Sequence, residues 1–123
     1  MSGKFCEQFG RRYLKAVRVR QTTQVEAAFS TWKGASAILT DTYVAGVPGG
    51  TGEAFNWQLL PAVRPRPLVL AGGLNSANVA RAVAEVRPYA VDVSGGVESA
   101  PGIKDAARIQ SFIQEVRRGN SHY

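Results

Sequence analysis

Four short apolar runs, each closing on a polar or glycine residue and each followed by a segment of helical spacing, constrain this chain most. They cover residues 13–19, 37–40, 68–71 and 90–93. Strands alternating with helices in this way imply a parallel sheet covered by helices, an α/β fold. The first helix is expected over 23–32, with Thr23 as N-cap and Glu26 at the capping-box spacing. Val25, Ala28, Phe29 and Trp32 repeat at i, i+3, i+4 and i+7 and give it an apolar stripe. A glycine-rich loop over 45–53 follows the second run, then a short helix over 56–63 that Pro65 and Pro67 bring to an end. Asn75 is placed to cap a helix carrying Val79, Val83 and Val86, which Pro88 terminates. Gly95-Gly96 makes the next turn, and Pro101-Gly102 separates the last strand from a helix capped by Asp105. The apolar face of that helix is Ile109, Phe112, Ile113 and Val116. A short helical stretch over 4–9 precedes the first strand, and residues 119–123 are expected to fray.

These segments make about four βα units in 123 residues, with no linker between them. A closed (β/α)8 barrel takes at least about 200 residues. The chain therefore has room for a half-barrel of the TIM-barrel type, forming one domain over 1–123. Half a barrel leaves two open sheet edges and an uncovered apolar interior, which a second copy or a complementing N-terminal half could close.

Composition narrows the function. No run approaches the roughly 18 apolar residues of a membrane span, and no apolar signal core follows Met1, so a cytoplasmic protein with no membrane partner is expected. The single cysteine, Cys6, excludes an internal disulfide and cannot form a metal cluster alone. It lies in a helix-like stretch beside Glu7, where nothing favours a thiolate. His122, the one histidine, lies in the tail. The net charge of +6 raises the question of nucleic acid. Interleaved aromatics and reading motifs are missing, however, and Lys15 and Arg18 would face opposite sides of a strand. An anionic small molecule suits the charge, and no nucleic-acid partner is expected.

In parallel α/β sheets ligands bind beyond the C-terminal ends of the strands. That rule selects Asp41, Gly72-Gly73 and Ser94-Gly95-Gly96. Glycine turns before a helix present bare N–H groups and a helix dipole, which favour a phosphate. They also serve simply as tight strand-to-helix turns. Asp41 closes an apolar strand, a position suited to a proton donor or to an ordinary Asx-turn. Asp92, flanked by Ala90, Val91 and Val93, points into the sheet's concave side, to orient a ligand or to satisfy a neighbouring amide.

Three motifs in order carry a family resemblance. Ile38-Leu39-Thr40-Asp41-Thr42, followed by Gly49-Gly50-Thr51-Gly52-Glu53-Ala54-Phe55-Asn56-Trp57, resembles the sixth strand and following loop of phosphoribosylanthranilate isomerases, written LLDT and GGTGxxFDW. Leu70-Ala71-Gly72-Gly73-Leu74-Asn75 resembles their seventh strand, and residues 87–105 resemble their eighth. The resemblance implies strands five to eight of that barrel and an Amadori rearrangement of N-(5-phosphoribosyl)anthranilate in tryptophan biosynthesis, without cofactor or metal. It makes Asp41 the general acid that protonates the ribose ring oxygen, and Gly72, Gly73, Ser94 and Gly95 the phosphate-binding turns. Gly49, Gly50 and Gly52 become part of a mobile cover over the substrate. The family's general base, a cysteine in a first-strand segment like KICG, has no counterpart here, and neither has its anthranilate-binding arginine from an early loop. Gly95 stands where a second serine is usual. A lone fragment is therefore expected to be weak or inactive, with a non-catalytic phosphate-binding or self-assembling half-barrel as the alternative.

Overall fold

The computed structural model describes residues 12–42 and 57–121. Strands β1 (Leu14–Arg18), β2 (Ala37–Asp41), β3 (Leu68–Ala71) and β4 (Ala90–Val91) form one parallel sheet in sequential order. Parallel neighbours need crossover connections. α1 (Thr22–Thr31) makes the first and α2 (Val79–Val86) the third, while α3 (Ala106–Asn120) follows β4 and packs on α2. Among the described residues no helix is long and apolar enough to cross a membrane.

Side-chain alternation splits the sheet into two faces. Ile38, Leu68 and Leu70 point to the helices and are at most 1% exposed, sealed by Val25, Phe29, Val79, Val83 and Phe112. Each such side chain contributes roughly 1.5–3 kcal/mol. Thr40 shares this face and silences its hydroxyl by donating to the Val69 carbonyl at 3.0 Å. The opposite face carries Leu14, Ala16 and Arg18 from β1, with Leu39 and Asp41 from β2. It is open at the edge: Leu14 is 54% exposed. The central strand β3 is buried on both faces, as parallel strands are.

Several sequence expectations need correction. α1 starts one residue early, with Gln21 as N-cap and Gln24, not Glu26, reaching back to the Gln21 N–H at 2.9 Å. The helix expected over 56–63 is a single 3-10 turn, Trp57–Leu59, because Pro61 removes a donor and restricts Leu60. Asn78, not Asn75, is the N-cap of α2; Asn75 instead accepts from the N–H groups of Ala77 (2.8 Å) and Asn78 (3.2 Å) in the turn before it. β4 ends at Val91, two residues short of expectation, although Asp92 N–H still donates to Leu70 O at 2.8 Å. An unforeseen hairpin follows, β5 (Glu98–Ala100) with β6 (Ile103–Lys104). Its loop is Pro101-Gly102 with Gly102 at φ 78°, the proline-then-glycine pattern of a type II turn. Residues from Gly119 do not fray at once: α3 runs to Asn120, and Gly119 is buried so close to α2 that a Cβ would lie 2.4 Å from the Ala80 carbonyl oxygen. The segments 4–9 and 45–53 lie outside the described residues.

Candidate functional site at the carboxyl ends of the strands

The register brings the strand ends level. Asp41 pairs with Ala71 and Leu70 pairs with Val91, so the three strands end close to one level. The turns enclose a cavity of about 470 Å³, lined by Asp41, Gly72, Gly73, Asp92, Ser94 and Gly95. All six residues singled out from the sequence as catalytic or substrate-binding candidates thus meet in one place. Leu39 and Ala71 add apolar surface between them.

The glycine turns earn their composition differently. Gly72 (φ 103°) and Gly73 (φ 66°) occupy the region that disfavours a side chain, so the chain can leave β3 and reach α2 within a few residues. Asn75 and Asn78 lock the rest of that turn reciprocally: the Asn78 carboxamide oxygen accepts from Asn75 N–H at 2.9 Å, and Asn75 accepts from Asn78 N–H. Those amides are therefore spent. The N–H groups of Gly72 and Gly73 donate to no acceptor among the described residues and stand at the cavity wall. After β4, Ser94 leads into the 3-10 turn Gly95–Val97. Gly96 lies against the β3–α2 turn; a Cβ there would sit 1.8 Å from the Leu74 carbonyl oxygen. That close approach joins the two turns into one wall, a contact that the reading of Ser94-Gly95-Gly96 as a candidate ligand turn did not foresee. At Gly95 a Cβ would meet nothing nearer than Glu98 Oε1 at 3.8 Å.

Two carboxylates share the cavity, Asp41 half-buried at the end of β2 and Asp92 exposed after β4. Arg18 pairs in register with Asp41 and lies on the same face, at the open edge of the sheet. Arg18 forms no ion pair with a described residue. Parallel neighbours are about 4.8 Å apart, so β1 and β4 are separated by roughly 14 Å. The rim therefore carries a cation and an acid at one end and bare amides at the other. Such a surface can grip a ligand with two anionic ends and deliver a proton between them.

The hairpin supports this wall from behind. Lys104 Nζ donates to the Ser94 carbonyl at 3.1 Å and pairs with Glu98 Oε2 at 2.8 Å. The Lys104 hydrogen bond holds the Glu98 carboxyl below its ordinary value, with partial burial pulling the other way. Gly49, Gly50, Gly52, Cys6 and His122 fall outside the described residues. No cluster of three or more potential metal ligands occurs among the described residues.

Comparison with known proteins gives this geometry a context. Residues 6–115 match the family model of N-(5'phosphoribosyl)anthranilate (PRA) isomerase. The N-(5'-phosphoribosyl)anthranilate isomerase of Pseudomonas fluorescens (strain Pf-5) is 59% identical over 115 residues, covering 94% of this chain and 55% of that protein. The crystal structure of phosphoribosyl anthranilate isomerase from Thermotoga maritima superposes with a TM-score of 0.76 at 40% identity, over 93% of this chain and 56% of that one. A phosphoribosyl anthranilate isomerase solved with reduced 1-(o-carboxyphenylamino)-1-deoxyribulose 5-phosphate gives 0.69 at 34% identity, over 93% of this chain and 54% of that one. The chain thus spans about half the length of the relatives it matches.

Proposed function

The chain belongs to the N-(5'-phosphoribosyl)anthranilate isomerase family, and on that premise we propose that it supplies the acid-and-phosphate half of that enzyme's active site. In this reading β1 to β4 are strands five to eight of a (β/α)8 barrel, and residues 1–123 form its C-terminal half as one domain. The reaction is the Amadori rearrangement of N-(5-phosphoribosyl)anthranilate to 1-(2-carboxyphenylamino)-1-deoxyribulose 5-phosphate. The observation that carries the reading is the single cavity that unites Asp41 with both glycine turns.

The chemistry follows from the placement. The substrate phosphate lies against the N–H groups of Gly72 and Gly73 and against Ser94 and Gly95, where fixed donors stabilise it. Asp41 gives a proton to the ribose ring oxygen; the bond from that oxygen to C1 breaks and the nitrogen lone pair forms a Schiff base. A base then takes the proton from C2, and the enolamine settles as the ketose. Asp92 orients the sugar, and Arg18 offers its charge to the anthranilate carboxylate at the far end. Among the described residues, the cavity lining includes no cysteine, histidine or lysine able to serve as the base. The base therefore comes from a complementing N-terminal half, and the chain alone turns over weakly or not at all.

A second observation favours assembly. The groove of about 440 Å³ beside edge strand β4 is lined by Val91, Val93, Val97, Phe112 and Ile113, the last 44% exposed. Filling it with a complementing half, or with a second copy, would cover the β4 edge.

The test is turnover of phosphoribosylanthranilate by the full chain, alone and mixed with an N-terminal half that carries the cysteine. The mixture should be active, and Asp41→Asn should cost it about 10²–10⁴-fold, the usual worth of a general acid. A folded, associated and inert mixture would sink the catalytic reading. Phosphate binding that survives in that mixture would leave the non-catalytic alternative standing.

A further inference from the structure

The Ser94–Gly96 turn has little of its own to hold it in shape. It is one turn of 3-10 helix, a conformation with poor internal hydrogen-bond geometry. Its internal bonds are Val97 N–H to the Ser94 carbonyl, long at 3.4 Å, and Glu98 N–H to the Gly95 carbonyl, and the Ser94 side chain makes no cap. The short contact on that carbonyl comes from elsewhere, from Lys104 Nζ at 3.1 Å.

Lys104 is aimed there by the hairpin. Glu98 and Lys104 are register partners across β5 and β6, which puts both side chains on one face, and Nζ sits 2.8 Å from Glu98 Oε2. The hairpin is itself tied to the start of α3: Asp105 N–H donates to Val97 O at 2.8 Å, and Arg108 Nη1 donates to Glu98 O at 2.5 Å. Asp105 caps α3 by accepting from Arg108 N–H at 3.0 Å. A continuous path therefore runs from α3 through the hairpin to the Ser94 carbonyl.

We propose that Lys104 is a positioning residue of the cavity, bridging the Ser94 carbonyl and the Glu98 carboxylate so that the Ser94–Gly96 turn keeps its amides aimed at a bound phosphate. The phosphate itself rests on the reading given above; the bridge does not. Lys104 does not line the cavity, and Glu98 balances its charge, so it acts through the turn and not as a direct anion ligand.

The experiment measures inorganic phosphate binding and amide hydrogen exchange on the full chain and on Lys104→Met, Lys104→Arg and Glu98→Gln. Lys104→Met should weaken phosphate about tenfold, in keeping with the loss of a charge-assisted hydrogen bond, and Lys104→Arg should recover most of it. Exchange at Gly95 and Gly96 should rise in Lys104→Met while Gly72 and Gly73 stay unchanged, a local pattern that general destabilisation does not give. Glu98→Gln is the deciding variant. It adds net positive charge near the cavity, so an ammonium acting on phosphate by charge alone would bind more tightly, whereas loss of the bridge weakens binding. Tighter binding in Glu98→Gln, or unchanged Gly95 and Gly96 exchange in Lys104→Met, overturns the proposal. If the parent chain binds no phosphate, the phosphate reading fails, while the exchange measurement still decides whether Lys104 holds the turn.

Discussion

The two ends of the sheet apply the same electrostatics to opposite purposes. At the ends where strands begin, helices finish and expose carbonyl oxygens, and arginines occupy them. Arg66 donates through Nη1 to the carbonyls of Trp32 (2.7 Å), Lys33 (2.6 Å) and Ala35 (3.1 Å), and through Nη2 to that of Phe29. Arg64 does the same for α2, reaching Val86 O at 2.9 Å and Arg87 O at 3.1 Å. At the ends where strands finish, helices begin, and the corresponding N–H groups of Gly72 and Gly73 are left without an acceptor among the described residues. One end is satisfied by the protein's own cations and is closed. The other keeps its donors open and pairs them with Asp41 and Asp92. Stability is invested at the first end and ligand recognition at the second.

Breaking the closed end should have the largest effect on folding. Arg66→Leu strands several carbonyls at the end of α1 together, and an unsatisfied buried acceptor costs about 1–3 kcal/mol. A loss of about 2–3 kcal/mol is expected in urea unfolding, with phosphate affinity of the folded chain unchanged. Equal losses at both ends would erase the division of labour.

At the open end the balance reverses. Gly72→Ala forces a side chain onto φ 103°, a strain of about 1–3 kcal/mol, and tilts an amide out of the cavity wall. Phosphate binding measured by calorimetry should fall at least about tenfold, more than the stability loss alone can explain. Gly95→Ser probes the same wall gently. Its Cβ has room and its φ is not left-handed, so stability should change by less than about 0.5 kcal/mol. The added hydroxyl should tighten phosphate by a few-fold, within the roughly 0.5–1.5 kcal/mol of one hydrogen bond. Weaker binding would mean that the phosphate does not reach the Ser94 turn.

The open end was also the more legible in sequence, for a physical reason. Asp41, Gly72, Gly73 and Ser94 announce themselves locally: an apolar run stops and a residue with special backbone or proton chemistry follows. The closed end depends on pairs far apart in the chain. Arg66 meets Phe29 across 37 residues and Arg64 meets Val86 across 22, and no local pattern marks either arginine as a helix cap. The parallel α/β alternation was likewise readable from short-range periodicity. The hairpin was not, because Glu98 to Lys104 carries no apolar alternation, and its Pro101-Gly102 turn reads equally well as a helix leader. Gly119 shows the same limit: its burial is dictated by Ala80 on another helix, while its own neighbours suggest a fraying tail.

The smallest effect expected is one of pH, and it sharpens the comparison because the open end has a titratable support in Glu98. The Lys104 hydrogen bond lowers the Glu98 pKa in the folded chain relative to the unfolded one. A lowered carboxyl pKa means that the folded state favours the ionised form. The bridge's contribution is then fully present above the unfolded carboxylate value and lost as pH falls through the lowered folded value. On acid titration followed by NMR, Gly95 and Gly96 amide shifts should hold steady through the ordinary carboxylate range and move only below it. The Arg64 and Arg66 contacts at the closed end reach carbonyls and, among the described residues, no carboxylate, so the carbonyls of Phe29 and Val86 should show no matching step. A shared transition at both ends would mean that acid loosens the whole fold, and that the Ser94 turn has no support of its own.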